Sequence, residues 1–94
     1  MEKRPDSKII KPRFYLVALR SQLGISQYAV ALISGLRPTF YNLVENGKKG
    51  DRMDARKLLA LAKALECPLE KLCQLEAEYM NEIDRLNHRE EVIW

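Results

Sequence analysis

The chain has little with which to cross-link, bind metal or cross a membrane. Its 94 residues include two cysteines, Cys67 and Cys73, and one histidine, His88. Five residues separate the cysteines and no His/Cys set stands nearby, a spacing that fits neither a zinc site nor a disulfide framework. Both are expected as small apolar core residues in a reducing cytosol. His88, between Asn87 and Arg89, reads as an exposed helical residue. No stretch approaches the ~20 apolar residues of a membrane helix, and the opening "MEKRPDSKII" is charged where a signal peptide is apolar. No nucleophile is paired with a base, and there is no carboxylate pair or phosphate loop. The pattern predicts one soluble cytoplasmic domain, not an enzyme, with no metal and no cofactor.

What is present is an uneven charge. The net charge is +3, but residues 1–56 hold eleven Lys/Arg against five Asp/Glu, and residues 57–94 hold five against eight. A basic end can meet a polyanion, and an acidic end is repelled by it. The first twelve residues, with two prolines and four Lys/Arg, lack periodicity and read as a basic extended arm.

Helical spacing begins after Pro12. Phe14, Leu16, Val17, Ala18 and Leu19 predict a helix over about 13–22, stopped by Gly24. Ser26 is an N-cap candidate for a second helix over 27–34, stopped by Gly35. Pro38 suits the first turn of a third, over about 38–46, and Gly47 its left-handed stop. Asp54 caps a fourth, "ARKLLALAKAL", with Met53 and Leu58 as a hydrophobic staple. Pro68 opens a fifth, carrying Leu72, Leu75, Tyr79, Ile83 and Leu86 at steps of three and four, to about residue 90. No strand pattern or internal repeat appears, so the expected fold is all-α. The second and third helices are each about two turns long, and their short glycine-containing turn forces a steep crossing, which is the geometry of a helix-turn-helix unit.

Residues 16–72 resemble the phage-repressor-like Xre/Cro helix-turn-helix family, through "LRSQLGISQYAVA", "SGLRPTFYNLVENGKK" and "LLALAKALECPLEKL". The resemblance implies a five-helix, lambda-repressor-like DNA-binding domain over 13–72, with residues 73–94 as an extended C-terminal helix. It implies that Val30 and Ala31 are buried, that Leu36, Tyr41 and Val44 face inward, and that Arg20 pairs with Glu45. Gln27 resembles the family's phosphate-gripping glutamine. Three features depart from the pattern: a loop after Gly47 longer by about two residues, Pro38 where a polar reader is common, and Tyr41 in place of an aliphatic.

With Tyr41 and Val44 inward, the 3.6-residue period turns Thr39, Asn42, Leu43 and Asn46 outward, with Arg37 and Pro38 at the front of the helix. Such a face suits base edges in the major groove. Asn42 is expected on adenine, Thr39 on several bases, and Leu43 or Phe40 on a thymine methyl, with Phe40 equally readable as core. Gln27, Asn46, Lys48, Lys49 and Arg52 are expected on phosphates. Lys3, Arg4, Lys8 and Lys11 of the arm either follow the backbone, enter the minor groove or make no contact.

Beyond Leu72 the spacing of Leu72, Tyr79, Leu86 and Ile93 by sevens, with Leu75 and Ile83 between, leaves an apolar stripe that needs a cover. Leu75, Tyr79, Ile83, Leu86 and Ile93 are expected to form a homodimer contact, with truncation after Leu72 leaving a folded monomer. The alternative is that the stripe folds back on its own domain, near Tyr28 and Leu32, and "EVIW" fits either arrangement. The resemblance implies a bacterial or phage regulator, most simply a dimeric repressor on double-stranded DNA. A reading from another class is an antitoxin-like partner or adaptor whose last helix docks a second protein. That reading has no use for the outward face of the third helix together with Lys48 and Lys49.

Overall fold

The start and stop signals act where they stand in the chain. A computed structural model describes residues 9–88 and contains α1 (Phe14–Leu23), α2 (Gln27–Ser34), α3 (Pro38–Glu45), α4 (Ala55–Ala64) and α5 (Leu69–His88), with no strand among the described residues. The Ser26 hydroxyl accepts the Ala29 N–H at 3.1 Å, and the Asp54 carboxylate accepts that of Lys57 at 2.9 Å. Each satisfies a donor that the first helical turn leaves orphaned. Gly35 ends α2 in the left-handed region, φ 77°. The third helix stops one residue before the expected Asn46, which caps it at φ −82°. Gly47 then supplies the left-handed step, φ 81°.

The axes of α1 and α2 meet at 91°, and α2 packs on α3 and α4 while α5 closes over α4. Leu16, Val30, Ala31, Tyr41, Val44 and Leu72 are fully buried. Ala31 lacks the bulk that would hold α3 away, and Met53 and Leu58 both pack on this core. Among the described residues no single helix is long and apolar enough to cross a membrane. Cys67 is buried but Cys73 is exposed. That corrects the expectation for the second thiol, which follows Leu72 on α5 and so falls about 100° around the helix from its inward face.

The larger departure lies at the two ends of the chain. Residues 9–13 run along α5. The Ile9 N–H donates to Asn87 Oδ1 at 2.6 Å, Lys11 Nζ meets Glu82 at 2.8 Å, and the Tyr79 hydroxyl donates to the Lys11 carbonyl at 2.6 Å. Lys11, expected as a candidate DNA contact, is half-buried and paired with Glu82; Lys3, Arg4 and Lys8 lie outside the described residues. Tyr28 and Leu32 are 62% and 67% exposed, so α5 does not fold back onto them.

Where the arm enters α1, Arg13 is fully buried, and all five of its guanidinium N–H groups find acceptors. Nε and Nη2 form a fork on the two Glu76 oxygens, each at 2.8 Å. Nη1 donates to the Val44 and Lys49 carbonyls, both at 2.8 Å, and Nη2 also reaches the Gly50 carbonyl at 3.1 Å. The Tyr79 ring lies 4.4 Å from the guanidinium carbon. Burial alone would lower the Arg13 pKa, but the hydrogen bonds and charge of Glu76 outweigh it and raise the value. A break after Leu72 would therefore strip this cation of Glu76 and Tyr79, so the truncated chain is not expected to fold as a sound monomer.

Replacing Arg13 with Met leaves the Glu76 carboxylate with the Tyr15 hydroxyl but no cation, and takes the Arg13 donor from the Val44, Lys49 and Gly50 carbonyls. It should cost roughly 3–5 kcal/mol, the usual penalty for breaking a buried ion pair from one side, read as a lowered urea midpoint. A Cβ on Gly47 would run into the Lys11 carbonyl oxygen. Gly47→Ala should thus displace the arm as well as pay the left-handed strain of about 1–2 kcal/mol, visible as faster amide exchange at Ile9.

Candidate nucleic-acid interface

The inward face of α3 is set by Tyr41 and Val44, both at zero exposure. The opposite face follows from the helical period: Thr39, Asn42 and Asn46 are exposed, as are Arg37 and Pro38 at the N-terminal end. Leu43 is half-buried. Phe40, also half-buried, packs against the core and lines an open cleft of about 380 Å³ with Lys49, Gly50, Asp51, Arg52, Met53 and Lys57.

One carboxylate organises the underside of this face. Glu45 is 3% exposed and takes a fork from Arg20, Nε at 2.7 Å and Nη2 at 3.1 Å, the pair that the resemblance implied. The Tyr41 hydroxyl donates to it at 2.7 Å, which explains why a tyrosine is accommodated at an inward position. Gln27 Nε2 donates to it at 2.6 Å. Burial alone would raise the Glu45 pKa, but the bonds from Arg20, Gln27 and Tyr41 hold it below the ordinary value of 4.5. Burial and the bond to Glu45 push the Tyr41 phenol upward, so it stays a donor.

The residues assigned to phosphates fall into two groups. Gln27, half-buried at the start of α2, already spends one N–H on Glu45 and its oxygen on Asn42, keeping one N–H for a ligand. Asn46, Lys48, Lys49 and Arg52 are exposed beyond the other end of α3. The loop that carries them is pinned from beneath. The Lys48 and Lys49 N–H groups donate to the Leu43 carbonyl at 2.9 and 3.3 Å, and Arg13 holds the Lys49 and Gly50 carbonyls. The backbone is fixed while both ammonium groups face outward.

The C-terminal stripe is only partly available. Tyr79 is 9% exposed and occupied by Lys11 and Arg13. Leu75, Ile83 and Leu86 are half-buried, and Ile93 lies outside the described residues. Arg13 was not foreseen as a site-supporting residue; its one local signal is a cation set between a proline and an apolar helix start.

A model of the helix-turn-helix family matches residues 16–72. The chain is also similar to a solved structure, the crystal structure of the restriction-modification controller protein C.AhdI from Aeromonas hydrophila. The two are 32% identical with a TM-score of 0.58, over 64% of this chain and 88% of that one. No curated protein matches the chain.

Because the folded Glu45 pKa lies below its unfolded value, its contribution is fully present above about 4.5 and is lost as pH falls through the lower folded value. Thermal midpoints should therefore fall as the solution is acidified past pH 4.5. Glu45→Gln should be less stable at neutral pH and should lose much of that acid limb; an unchanged limb would assign it to other carboxylates.

Proposed function

Since the chain belongs to the Xre/Cro-like helix-turn-helix family of DNA-binding transcription regulators, we propose that it reads an operator with α3 in the major groove and acts as a repressor by occupying that operator in competition with polymerase. The observation that carries this reading is the division of α3 into two faces. Tyr41 and Val44 are sealed beneath, while Thr39, Asn42 and Asn46 are exposed above, flanked by exposed Lys48, Lys49 and Arg52. The B-DNA major groove is wide enough for an α-helix, and the flanking cations supply affinity that carries no sequence information.

Arg37, Pro38, Thr39, Asn42 and Leu43 make the base contacts. Pro38 offers no donor, so selection rests on its polar neighbours and on Leu43 against a thymine methyl. Gln27, Asn46, Lys48, Lys49 and Arg52 take the phosphates. The protein works as a homodimer in the bacterial cytoplasm, joined through Leu75, Ile83 and Leu86, with Ile93 of the C-terminal segment. Its similarity to a restriction-modification controller makes control of a restriction-modification gene set the first physiological role to test.

Selection of bound oligonucleotides from a random pool is the direct test. A palindromic consensus with half-sites about 34–36 Å apart is expected, and a pool that yields no consensus overturns sequence-specific reading. Asn42→Ala should cost roughly 1–3 kcal/mol at one operator position and relax selection there, whereas Lys48→Ala should weaken every sequence and flatten the salt slope by about one unit. For assembly, Ile83→Glu should give a folded monomer in sedimentation while sparing the Arg13 cluster; an unchanged oligomer removes the stripe as the dimer contact.

A further inference from the structure

Beside the outward face of α3 lies a feature that operator binding does not use in full: the open cleft of about 380 Å³ between Phe40 and the loop that follows α3. Its size falls within the roughly 300–1,000 Å³ of small-molecule sites. Three elements build it. Phe40 of α3 and Met53 at the end of the loop are its apolar part, and both pack on the core behind them. Lys57 enters from the first turn of α4, where its backbone N–H is held by Asp54. The loop supplies Lys49, Gly50, Asp51 and Arg52, and Arg13 fixes its backbone by taking the Lys49 and Gly50 carbonyls. The walls are therefore set before a ligand arrives, which lowers the ordering cost of binding.

The lining selects a chemistry. Lys49, Arg52 and Lys57 outnumber the one carboxylate, Asp51, by two charges, and the contact of Lys57 with Asp54 outside the cleft is a loose one at 3.8 Å. Such an excess suits a phosphate monoester, which approaches two negative charges at neutral pH and offers three acceptor oxygens to converging cations. Phe40 and Met53 suit a flat ring, since any nucleobase can stack on an aromatic side chain and thioether sulfur packs well against ring edges. Asp51 can only accept hydrogen bonds, so it suits a hydroxyl or an amine on the ligand. Ring, hydroxyls and phosphate dianion together describe a nucleoside monophosphate. Duplex DNA fits less well, because each of its phosphates carries a single charge and its bases are stacked within the helix. We propose that the cleft binds a free nucleoside monophosphate, and that the bound nucleotide takes Lys49 and Arg52 from the operator phosphates and so releases the protein from DNA. The release rests on the phosphate role proposed above for those two residues; the binding does not.

Calorimetric titration of the whole chain with adenosine monophosphate (AMP), adenosine and inorganic phosphate tests the site without DNA. AMP should bind at least roughly tenfold more tightly than either part, because it joins both contacts in one molecule. Lys57 is not among the residues proposed to touch DNA, and Lys57→Gln should weaken AMP roughly tenfold through the loss of one charge-assisted bond. Arg56→Gln removes a neighbouring cation whose side chain is 94% exposed and does not line the cleft; it should leave AMP binding unchanged. Saturating AMP should then raise the apparent Kd of the unsubstituted chain for its selected operator, and Lys57→Gln should need roughly tenfold more AMP for the same effect. AMP that binds no better than inorganic phosphate, or that is weakened equally by Arg56→Gln and Lys57→Gln, overturns the site and leaves only diffuse positive charge. AMP that fills the cleft without changing operator affinity overturns the release. A chain that binds AMP as expected but selects no operator from the random pool refutes operator reading and leaves the nucleotide site standing.

Discussion

The fold depends on one buried guanidinium placed where a helix ends. The last carbonyls of any α-helix lack intrahelical donors and form the negative end of its dipole. At the end of α3 that end is turned inward: the Arg13 N–H donates to the Glu45 carbonyl at 2.8 Å, and its guanidinium takes the Val44 carbonyl and the two loop carbonyls that follow. An unpaired cation there would carry a desolvation penalty of several kcal/mol. Glu76 on α5 removes it by a two-point contact, and the Tyr15 hydroxyl donates to the same carboxylate. Among the described residues no buried side-chain nitrogen or oxygen lacks a partner. The net worth of such a cluster is modest, but its specificity is high: only one placement of the arm, the loop and α5 satisfies every member at once.

This cluster and the Glu45 cluster hold α3 from opposite sides. Glu45 belongs to both, its carbonyl bound by the Arg13 backbone and its carboxylate by Arg20, Tyr41 and Gln27. The last turn of the helix thus has little freedom to roll or slide. Since the exposed face is rigidly tied to the inward one, a fixed underside fixes the direction in which Thr39 and Asn42 point. A reading surface built on a braced helix is more exact than one built on a loop. Here the adjoining loop is braced as well.

What the sequence disclosed divides along the range of the interactions. Ser26, Gly35, Pro38 and Asp54 act on backbone groups within four residues of themselves, so the limits of α2 and the starts of α3 and α4 were legible residue by residue. The inward set Val30, Ala31, Tyr41 and Val44 followed from resemblance to the family, and the outward face of α3 then followed from the helical period. The arm did not. Its partners on α5 lie 63 to 78 residues away, and a pairing over that distance leaves no periodic trace. Tyr79 shows how a pattern misleads: it fits a seven-residue apolar stripe, yet its hydroxyl and ring serve Lys11 and Arg13. A stripe awaiting a second subunit and one partly covered by the chain's own arm have the same spacing, and only the polar tip of the tyrosine distinguishes them.

The uneven charge takes on a different meaning in three dimensions. Read along the chain, the acidic C-terminal part is a portion that DNA would repel. In the folded molecule Glu82 faces Lys11 and holds its own carboxyl below the usual range through that contact, while Glu76 neutralises Arg13. Two cations of the basic half are therefore taken out of the external field by the acidic helix. What remains exposed includes Arg37 at one end of α3 and Lys48, Lys49 and Arg52 beyond the other. Because surface charges act over only about 8–10 Å at ordinary ionic strength, their placement counts for more than the net charge. The acidic helix thus does more than oppose a polyanion: by pairing with the cations of the arm, it sharpens the contrast between the α3 face and the rest of the molecule.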